Sequence, residues 1–221
     1  MNAKIDSFLI QSVVLLNRQS LLIEHLISTQ ERSLLELEST LLQQKHTVGH
    51  VFNIYNYVLL LIDHLVRFHK IAHSLPRLNK KSTEFRTLDS ALESFKDIRN
   101  QHQHINNDIE NSYTGPLLGS ICWISENIQF LVSLPDLGRE RSMAGIAVNT
   151  ETGEFQNQFC YIYNDIYYDL KNAFDSAQRF NEYISSTVKI NVDGKSYSSD
   201  EHFIATYAKF DFLSNNTNES K

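Results

Sequence analysis

The apolar residues of the first forty positions recur at alternating steps of four and three residues. This spacing places them on one stripe of an α-helix and is typical of a long helix that packs nearly parallel to its neighbours. Further leucines widen the apolar face, so the pattern predicts one long helix, or two stacked segments, in a bundle or at a dimer interface. The stripe comprises Leu9, Val13, Leu16, Ser20, Ile23, Ile27, Gln30, Leu34, Leu37 and Leu41, and the further leucines are Leu15, Leu22, Leu26 and Leu35.

Two more helices are predicted in the first half of the chain. The second covers about Val51–Leu75 and ends before Pro76, because the residue that precedes a proline disfavours helical backbone. The third begins near Ser82 or Thr83 and ends around residues 111–115, where Asn, Ser, Thr, Gly and Pro cluster. Its apolar stripe comprises Phe85, Leu88, Leu92, Phe95, Ile98, His102, Ile105 and Ile109.

Short strands are predicted after residue 115, in two groups separated by a fourth helix. This helix covers about Asp165–Ser185. Ser198 and Glu201 fit a capping box that opens a last short helix. The predicted strands are Ser120–Ser125 and Asn127–Leu134, then Ala144–Asn149 and Phe155–Tyr163, which flank a hairpin turn at residues 150–153, and last a second hairpin of Thr187–Val192 and Lys195–Ser199.

These elements predict a mainly α fold, namely an antiparallel helical bundle with a small strand or hairpin insertion and a short C-terminal hairpin. We assign the bundle to residues 1–186, including a strand-rich insert at about 116–163. Residues 187–213 are predicted to form the small C-terminal hairpin and helix, and residues 214–221 a polar, flexible tail.

Composition and charge narrow the class of protein. The 221 residues include seven Gly, three Pro and 42% hydrophobic residues, as in a soluble globule built from long regular elements. The net charge of −6 argues against a protein that coats nucleic acid without specificity. The longest apolar run, Tyr57–Ile62, is too short for a membrane span, and two cysteines are too few for a disulfide framework. We therefore expect a cytoplasmic protein without a signal peptide or membrane association.

Basic residues are concentrated between Arg67 and Arg86, where Glu84 is the single acid. A local basic surface can hold a short RNA even on an acidic protein, although the same pattern fits a solvated helix end and a lysine-rich turn. Both interpretations stay open. The residues that we assign to RNA binding are Arg67, Lys70, Arg77, Lys80 and Lys81, together with His102 further along the chain.

The segment 99–104, with the sequence Arg-Asn-Gln-His-Gln-His, has the highest density of reactive side chains in the chain. Arginine offers a permanent charge and forked donors for phosphate oxygens, and histidine transfers protons near neutral pH. An arginine, a polar residue and a histidine after four intervening residues resemble the motif of the HEPN superfamily. The matching residues are Arg99, Asn100 and His104.

The resemblance implies a HEPN-like helical bundle and a homodimer with paired motifs at its interface. Active HEPN proteins are metal-independent endoribonucleases, often in toxin–antitoxin, abortive-infection or antiviral systems, so RNA and an antitoxin are the implied partners, without a cofactor. The resemblance assigns phosphate binding to Arg99, orientation to Asn100 and proton transfer to His104. Other HEPN-like proteins are noncatalytic, and a helical dimerisation module that binds RNA or protein is therefore the alternative.

Helical geometry separates the members of the motif. At about 100° per residue, Arg99 and His104 lie about 140° apart on a straight helix, so they converge only through a distortion, a bridging substrate or a second subunit. His102 falls on the apolar stripe, which favours a partly buried, hydrogen-bonded histidine. The alternative for Arg99 is an ion pair with Asp97, Asp108 or an acid on another helix.

Other chemistry has weaker support in the sequence. Two histidine pairs, His46 with His50 and His69 with His73, have the i, i+4 spacing of metal ligands, but no carboxylate accompanies either pair in a local metal motif. We therefore predict no metal site. The chain also lacks a Gly-x-Ser-x-Gly elbow, a phosphate-binding loop and a dinucleotide-binding fingerprint.

Overall fold

The computed structural model describes residues 3–45, 48–76, 78–103, 118–125, 128–133, 159–163, 166–187, 191–192 and 195–196. Over these ranges the protein is mainly helical and has a small antiparallel sheet, as the sequence predicts. The helices are α1 (Ala3–Leu42), α2 (Val48–Ser74), α3 (Thr83–Leu92), α4 (Phe95–Gln103) and α5 (Leu170–Thr187). The strands are β1 (Ser120–Ser125), β2 (Ile128–Ser133), β3 (Phe159–Tyr163), β4 (Ile166–Asp169), β5 (Asn191–Val192) and β6 (Lys195–Ser196).

The first two helices pack along each other. Helix α1 is continuous over 40 residues, which confirms the long helix predicted from the apolar stripe. A short connection returns the chain so that α2 contacts α1, and His64 on α2 bonds to Gln19 on α1. Helix α2 begins at Val48, earlier than predicted, and includes Gly49 in its first turn. The amide groups of a first turn have no partners within the helix.

By length and composition alone, α2 could cross a membrane. Its most apolar stretch of 18 residues has a mean hydropathy of 1.2, and 44% of that stretch is buried inside the protein. Core helices of water-soluble proteins have the same properties, so α2 is consistent with the soluble protein that we expect. Among the helices that the structure describes, no other one is long and apolar enough to cross a membrane.

The prediction of one uninterrupted third helix is wrong, because α3 and α4 are separated by a turn at Glu93 and Ser94. The amides of Lys96 and Asp97 donate to the carbonyls of these two residues, three positions back instead of four. Such 3₁₀-type bonds interrupt the α-helical ladder. Helix α3 begins at a serine cap, since the Ser82 hydroxyl accepts a hydrogen bond from the Phe85 amide, 3.2 Å away.

Strands β1–β4 form one antiparallel sheet in the order β2-β1-β3-β4. The side chains on one face of the sheet belong to the same apolar core as the buried faces of the helices. The Trp123 indole Nε1 donates to Glu38 on α1 at 2.7 Å, and the Tyr55 hydroxyl on α2 donates to the Gly119 carbonyl at 2.8 Å. The sheet is therefore fastened to both long helices by buried or partly buried polar contacts.

The predicted start of the fourth helix, near Asp165, is also wrong, because Ile166–Asp169 is strand β4. Its side chains alternate between the two faces of the sheet: Tyr168, opposite Tyr161 of β3, is buried in the main core, and Tyr167 packs against the cluster of Cys122, Cys160 and Ile162. Helix α5 follows directly, and the Asp169 carboxylate caps it by accepting from the Asn172 amide at 2.8 Å.

The C-terminal hairpin is present as β5 paired with β6, which confirms the predicted pairing over these four residues. The predicted strand at residues 144–149, the turn at 150–153, the last helix after Ser198 and the tail at 214–221 lie outside the described residues.

Candidate functional site

Helix α2 carries two polar clusters on different faces. The first, which we call the arginine cluster, consists of Asp63 and Arg67 on α2 with Arg99 on α4. The second, the histidine cluster, consists of His69 and His73 on α2 with Asp89 on α3. At about 100° per residue, the two pairs on α2 are separated by about 120° around the helix, so α4 covers one pair and α3 the other.

The arginine cluster is organised by one carboxylate. Arg99 donates through Nε to Oδ1 of Asp63 at 2.7 Å, and Arg67 contacts Oδ2 of Asp63 through its terminal nitrogen at 2.7 Å. The side chains of Arg99 and Asp63 are 24% and 26% exposed, whereas that of Arg67 is 54% exposed. Two permanent positive charges against one negative charge leave this cluster with a positive excess at the surface.

More polar groups lie beside the arginine cluster. Lys70 is exposed and shares the helical face of Asp63 and Arg67, since it lies one turn beyond Arg67. Asn100 follows Arg99 on α4 and is exposed. The arrangement presents guanidinium, ammonium and amide donors to solvent at the junction of α2 and α4, which is a donor set suited to phosphate oxygens.

The structure brings together Arg99 and Arg67, which the sequence analysis placed in separate groups, and leaves Asn100 next to them. Lys80 and Lys81 are exposed in the turn before α3. His102 belongs to the backbone of α4, but its side chain is outside the part of the chain that the structure describes, as are His104 and Arg77.

Asp63 is the member of the arginine cluster that sequence reasoning does not select. Its partner Arg99 is 36 positions away, and its relation to Arg67 is the i, i+4 ion-pair spacing found on many exposed helices. Of the alternatives predicted for Arg99, the structure contains the ion pair with an acid on another helix.

Three polar atoms of the histidine cluster lie within hydrogen-bonding distance of one another. Nε2 of His69 lies 2.7 Å from Oδ1 of Asp89, Nε2 of His73 lies 2.6 Å from the same oxygen, and the two Nε2 atoms are 3.1 Å apart. His69 is completely buried, while His73 and Asp89 are about one third exposed. Asp89 supplies the carboxylate that the sequence does not place beside this histidine pair.

Burial and the neighbouring groups shift the pKa values of His69 and Asp89. Burial of its ring lowers the pKa of His69 in spite of the hydrogen bond to Asp89, and Lys96 acts in the same direction as burial. Burial alone would raise the pKa of Asp89, but its hydrogen bonds with His73 and His69 outweigh that effect and lower it. A neutral His69 beside an ionised Asp89 is therefore favoured at neutral pH.

The two cysteines are packed inside the sheet. Cys122 on β1 and Cys160 on β3 are directly opposite each other, and both are buried. A hydrogen bond with Cys122, together with burial, raises the pKa of Cys160, and the same bond lowers the pKa of Cys122. Neither thiol is accessible, so neither is placed to act as a nucleophile on a dissolved substrate.

Comparisons of this chain with protein-family models, with curated proteins and with solved structures find no match.

Proposed function

We propose that this protein is a HEPN-like helical bundle that binds RNA through the arginine cluster and cleaves it without a metal ion. The observation that carries the proposal is that Asp63 gathers Arg99 of the motif and Arg67 of the basic stretch at one exposed junction. Paired guanidinium groups are a recurrent means of holding a phosphate, because each presents several donors in a fixed plane.

Asp63 has a definite role in this proposal. It accepts from the Nε–H of Arg99, so the Nη–H donors of that guanidinium lie outside this bond. A guanidinium that is already oriented loses less side-chain entropy when it binds a phosphate than a freely rotating one. Asp63 also lowers the positive charge of the cluster, which restricts binding to phosphates that several groups contact together.

The proposed reaction is internal transesterification of RNA. The ribose 2′-oxygen forms a bond to the adjacent phosphorus, the bond from phosphorus to the 5′-oxygen breaks, and the products end in a cyclic phosphate and a 5′-hydroxyl group. A base takes the proton of the 2′-hydroxyl, and an acid gives one to the leaving 5′-oxygen. His104 takes one of these roles, and its copy in a homodimer takes the other. Arg99 stabilises the charge that grows on the phosphate oxygens, and Asn100 orients the phosphate.

The proposed homodimer has support from the surface of α1. Phe8, Leu15 and Leu22 are 50%, 47% and 42% exposed and follow one another at intervals of seven residues. A heptad row of this kind is suited to packing against the same helix of a second copy. We further propose a cytoplasmic location, a toxin or defence context and an antitoxin protein as a partner, because these properties accompany the HEPN-like motif.

A second function, from a different class, is favoured by the Arg99–Asp63 ion pair itself. In a noncatalytic helical module, Arg99 would join α4 to α2 and have no contact with substrate. An assay for RNA cleavage distinguishes the endoribonuclease from the noncatalytic module.

The test incubates the purified full chain with single-stranded RNA and with tRNA in excess EDTA. The enzyme proposal predicts fragments with cyclic phosphate ends, a rate loss of about 10²–10⁴-fold for His104→Ala and a loss of about 10²–10³-fold for Arg99→Gln. Arg32→Gln is the matched control, because Arg32 is exposed and bonds to Ser28 and Thr29 of its own helix.

Loss of activity in both motif variants, with full activity in Arg32→Gln, would support the enzyme. A wild-type chain that binds RNA but leaves every substrate intact would support the noncatalytic module instead. Cleavage that is unchanged in His104→Ala would contradict the proposed chemistry, whatever its rate.

A further inference from the structure

We propose that His69, His73 and Asp89 form a binding site for a divalent transition-metal ion of the zinc class, which joins α2 to α3. This site lies on another face of α2 than the arginine cluster, and the proposal does not depend on RNA binding or cleavage. The ligating atoms would be Nε2 of His69, Nε2 of His73 and Oδ1 of Asp89.

The arrangement of the two elements favours such a site. His69 and His73 are one turn apart on α2, so their rings project in the same direction. Asp89 reaches them from the neighbouring helix α3, and the three ligating atoms lie within 4.8 Å of one another. Two imidazoles and one carboxylate are the protein ligands of a common class of zinc site that keeps a fourth position open.

With Asp89 ionised, hydrogen bonding allows one arrangement of these three atoms, in which both Nε2 atoms donate to Oδ1 of Asp89. If both Nε2 atoms carry hydrogen and donate to Asp89, the 3.1 Å contact between His69 and His73 brings two donors together. If one Nε2 lacks hydrogen, its contact of 2.7 Å or less with the Asp89 oxygen joins two acceptors. Protonating a ring only adds a donor. A bound cation removes the close contact between two N–H donors, because both imidazole nitrogens and the carboxylate oxygen then donate lone pairs to the same ion.

The dimensions of the cluster suit a small ion after a modest expansion. In a tetrahedral zinc site with bonds of about 2.0–2.2 Å, the ligating atoms lie roughly 3.3 Å apart. The two contacts with Asp89 would therefore lengthen by about 0.6–0.7 Å, and the contact between the two Nε2 atoms by about 0.2 Å. His69 is fixed in the core, but His73 and Asp89 are about one third exposed and can move outward. The fourth position would face solvent on their side.

The donor set also selects the class of ion. Imidazole nitrogen suits Zn²⁺, Co²⁺ and Ni²⁺, whereas Ca²⁺ and Mg²⁺ prefer oxygen ligands. Among the described residues, no fourth protein ligand joins the cluster, and the buried Nδ1 of His69 has no hydrogen-bond partner. Outer-shell partners raise metal affinity about 10–100-fold, so zinc should bind this site more weakly than a site whose ligating histidines have such partners.

The experiment uses the full chain after removal of metals by chelation. Titration with Co²⁺, followed by visible absorption, should give the intense d–d bands of a tetrahedral ion at one equivalent per chain, and Zn²⁺ should displace it. Zinc at a free concentration of about 100 times Kd should also raise Tm by roughly 5–10 °C. Neither readout requires RNA, so a failure here is distinguishable from a failure of the proposed nuclease.

Asp89→Asn and His73→Gln are the variants of choice, because both positions are partly exposed and the changes keep size and polarity. Each should weaken Co²⁺ and Zn²⁺ binding by more than the roughly tenfold that outer-shell losses produce. His25→Gln, at an exposed position of α1, is the matched control for weak binding to surface histidines and should bind as the wild type does.

Circular dichroism of each variant establishes that it is folded before its affinity is compared. Absence of tetrahedral Co²⁺ bands in the wild-type chain at millimolar Co²⁺ would overturn the proposal. Equal affinity in the wild type, Asp89→Asn and His73→Gln would overturn it as well, since the ion would then be bound elsewhere.

Discussion

At the scale of single residues, Gly119 has no room for a side chain, whereas Gly49 does. Gly119 has φ of +66°, and a Cβ at this position would lie 2.6 Å from both the Ile162 carbonyl oxygen and the Tyr161 hydroxyl. Gly119→Ala should therefore lower the free energy of unfolding by about 2–4 kcal/mol.

Gly49→Ala is the matched control, because Gly49 is helical and has nothing within 4 Å of an added Cβ. This variant should raise the free energy of unfolding by up to about 0.5 kcal/mol. Urea denaturation measures both changes, and a Gly119→Ala protein as stable as the wild type would contradict the described packing around β1 and β3.

His64 should make stability depend on pH. Burial lowers the pKa of His64, Arg67 adds to this effect, and Asp63 opposes it. The unfolded chain therefore takes up a proton near pH 6.5 that the folded protein does not, and stability falls as pH decreases through 6.5 toward the lower folded pKa. His64→Gln should make the free energy of unfolding less dependent on pH between about 7.5 and 5.5. Between pH 8 and 9 the dependence should be the same with and without the histidine, and a difference confined to that range would contradict this explanation.

The carboxylates of the two clusters, Asp63 and Asp89, could not be predicted from the sequence. Arg99 could be selected from its motif, but Asp63 lies 36 positions away and Asp89 lies 16 and 20 positions from the two histidines. Such pairings depend on how α2, α3 and α4 pack, and nothing in the local spacing distinguishes these two carboxylates from other acids on exposed helix faces.

At the scale of elements, the cap of α3 has a measurable role, because this helix carries Asp89. Ser82 satisfies the Phe85 amide at the start of the helix. Ser82→Ala should lower the free energy of unfolding by about 1 kcal/mol. Ser90→Ala, an exposed position inside α3, should instead raise it by a few tenths of a kcal/mol, or about 0.5 at most, since alanine is the better helix former. Equal effects of the two substitutions would show that the cap does not stabilise α3.

The long helices follow from the sequence, whereas the boundaries of the shorter elements do not. The apolar stripe of α1 is nearly independent of context, and Pro76 limits α2. The apolar stripe through Leu92, Phe95 and Ile98 continues across the Glu93–Ser94 turn, so periodicity alone gives no sign of the break. The residues of strand β4 extend the apolar spacing of α5, which predicts a helix there, and only pairing with β3 makes them a strand.

At the scale of the whole molecule, the exposed row on α1 predicts a homodimer. Light scattering of the wild-type chain at micromolar concentration should give twice the mass of one chain, and the double variant Leu15→Glu with Leu22→Glu should give the monomer. Leu35→Glu places a negative charge about 140–160° away from Leu15 and Leu22 around α1 and should leave the dimer intact. A monomeric wild type would exclude a site shared between two copies.

The measurement that tests the central claim most directly compares the RNA affinity of variants of the arginine cluster at several salt concentrations. Arg99→Gln removes a phosphate contact, so binding of a short single-stranded RNA should weaken, and the slope of log K against log salt should decrease by about 0.7. Asp63→Asn removes the opposing charge and should strengthen binding by roughly two- to fivefold. The control is Arg32→Gln, which lies about 20 Å along α1 from the Gln19 contact with His64 and should change neither quantity.

Fluorescence anisotropy gives both the affinity and its salt dependence. The account predicts opposite changes for Arg99→Gln and Asp63→Asn, two partners in one ion pair. If both variants bind RNA as the wild type and Arg32→Gln do, with the same salt dependence, the arginine cluster does not contact RNA and the central claim is wrong.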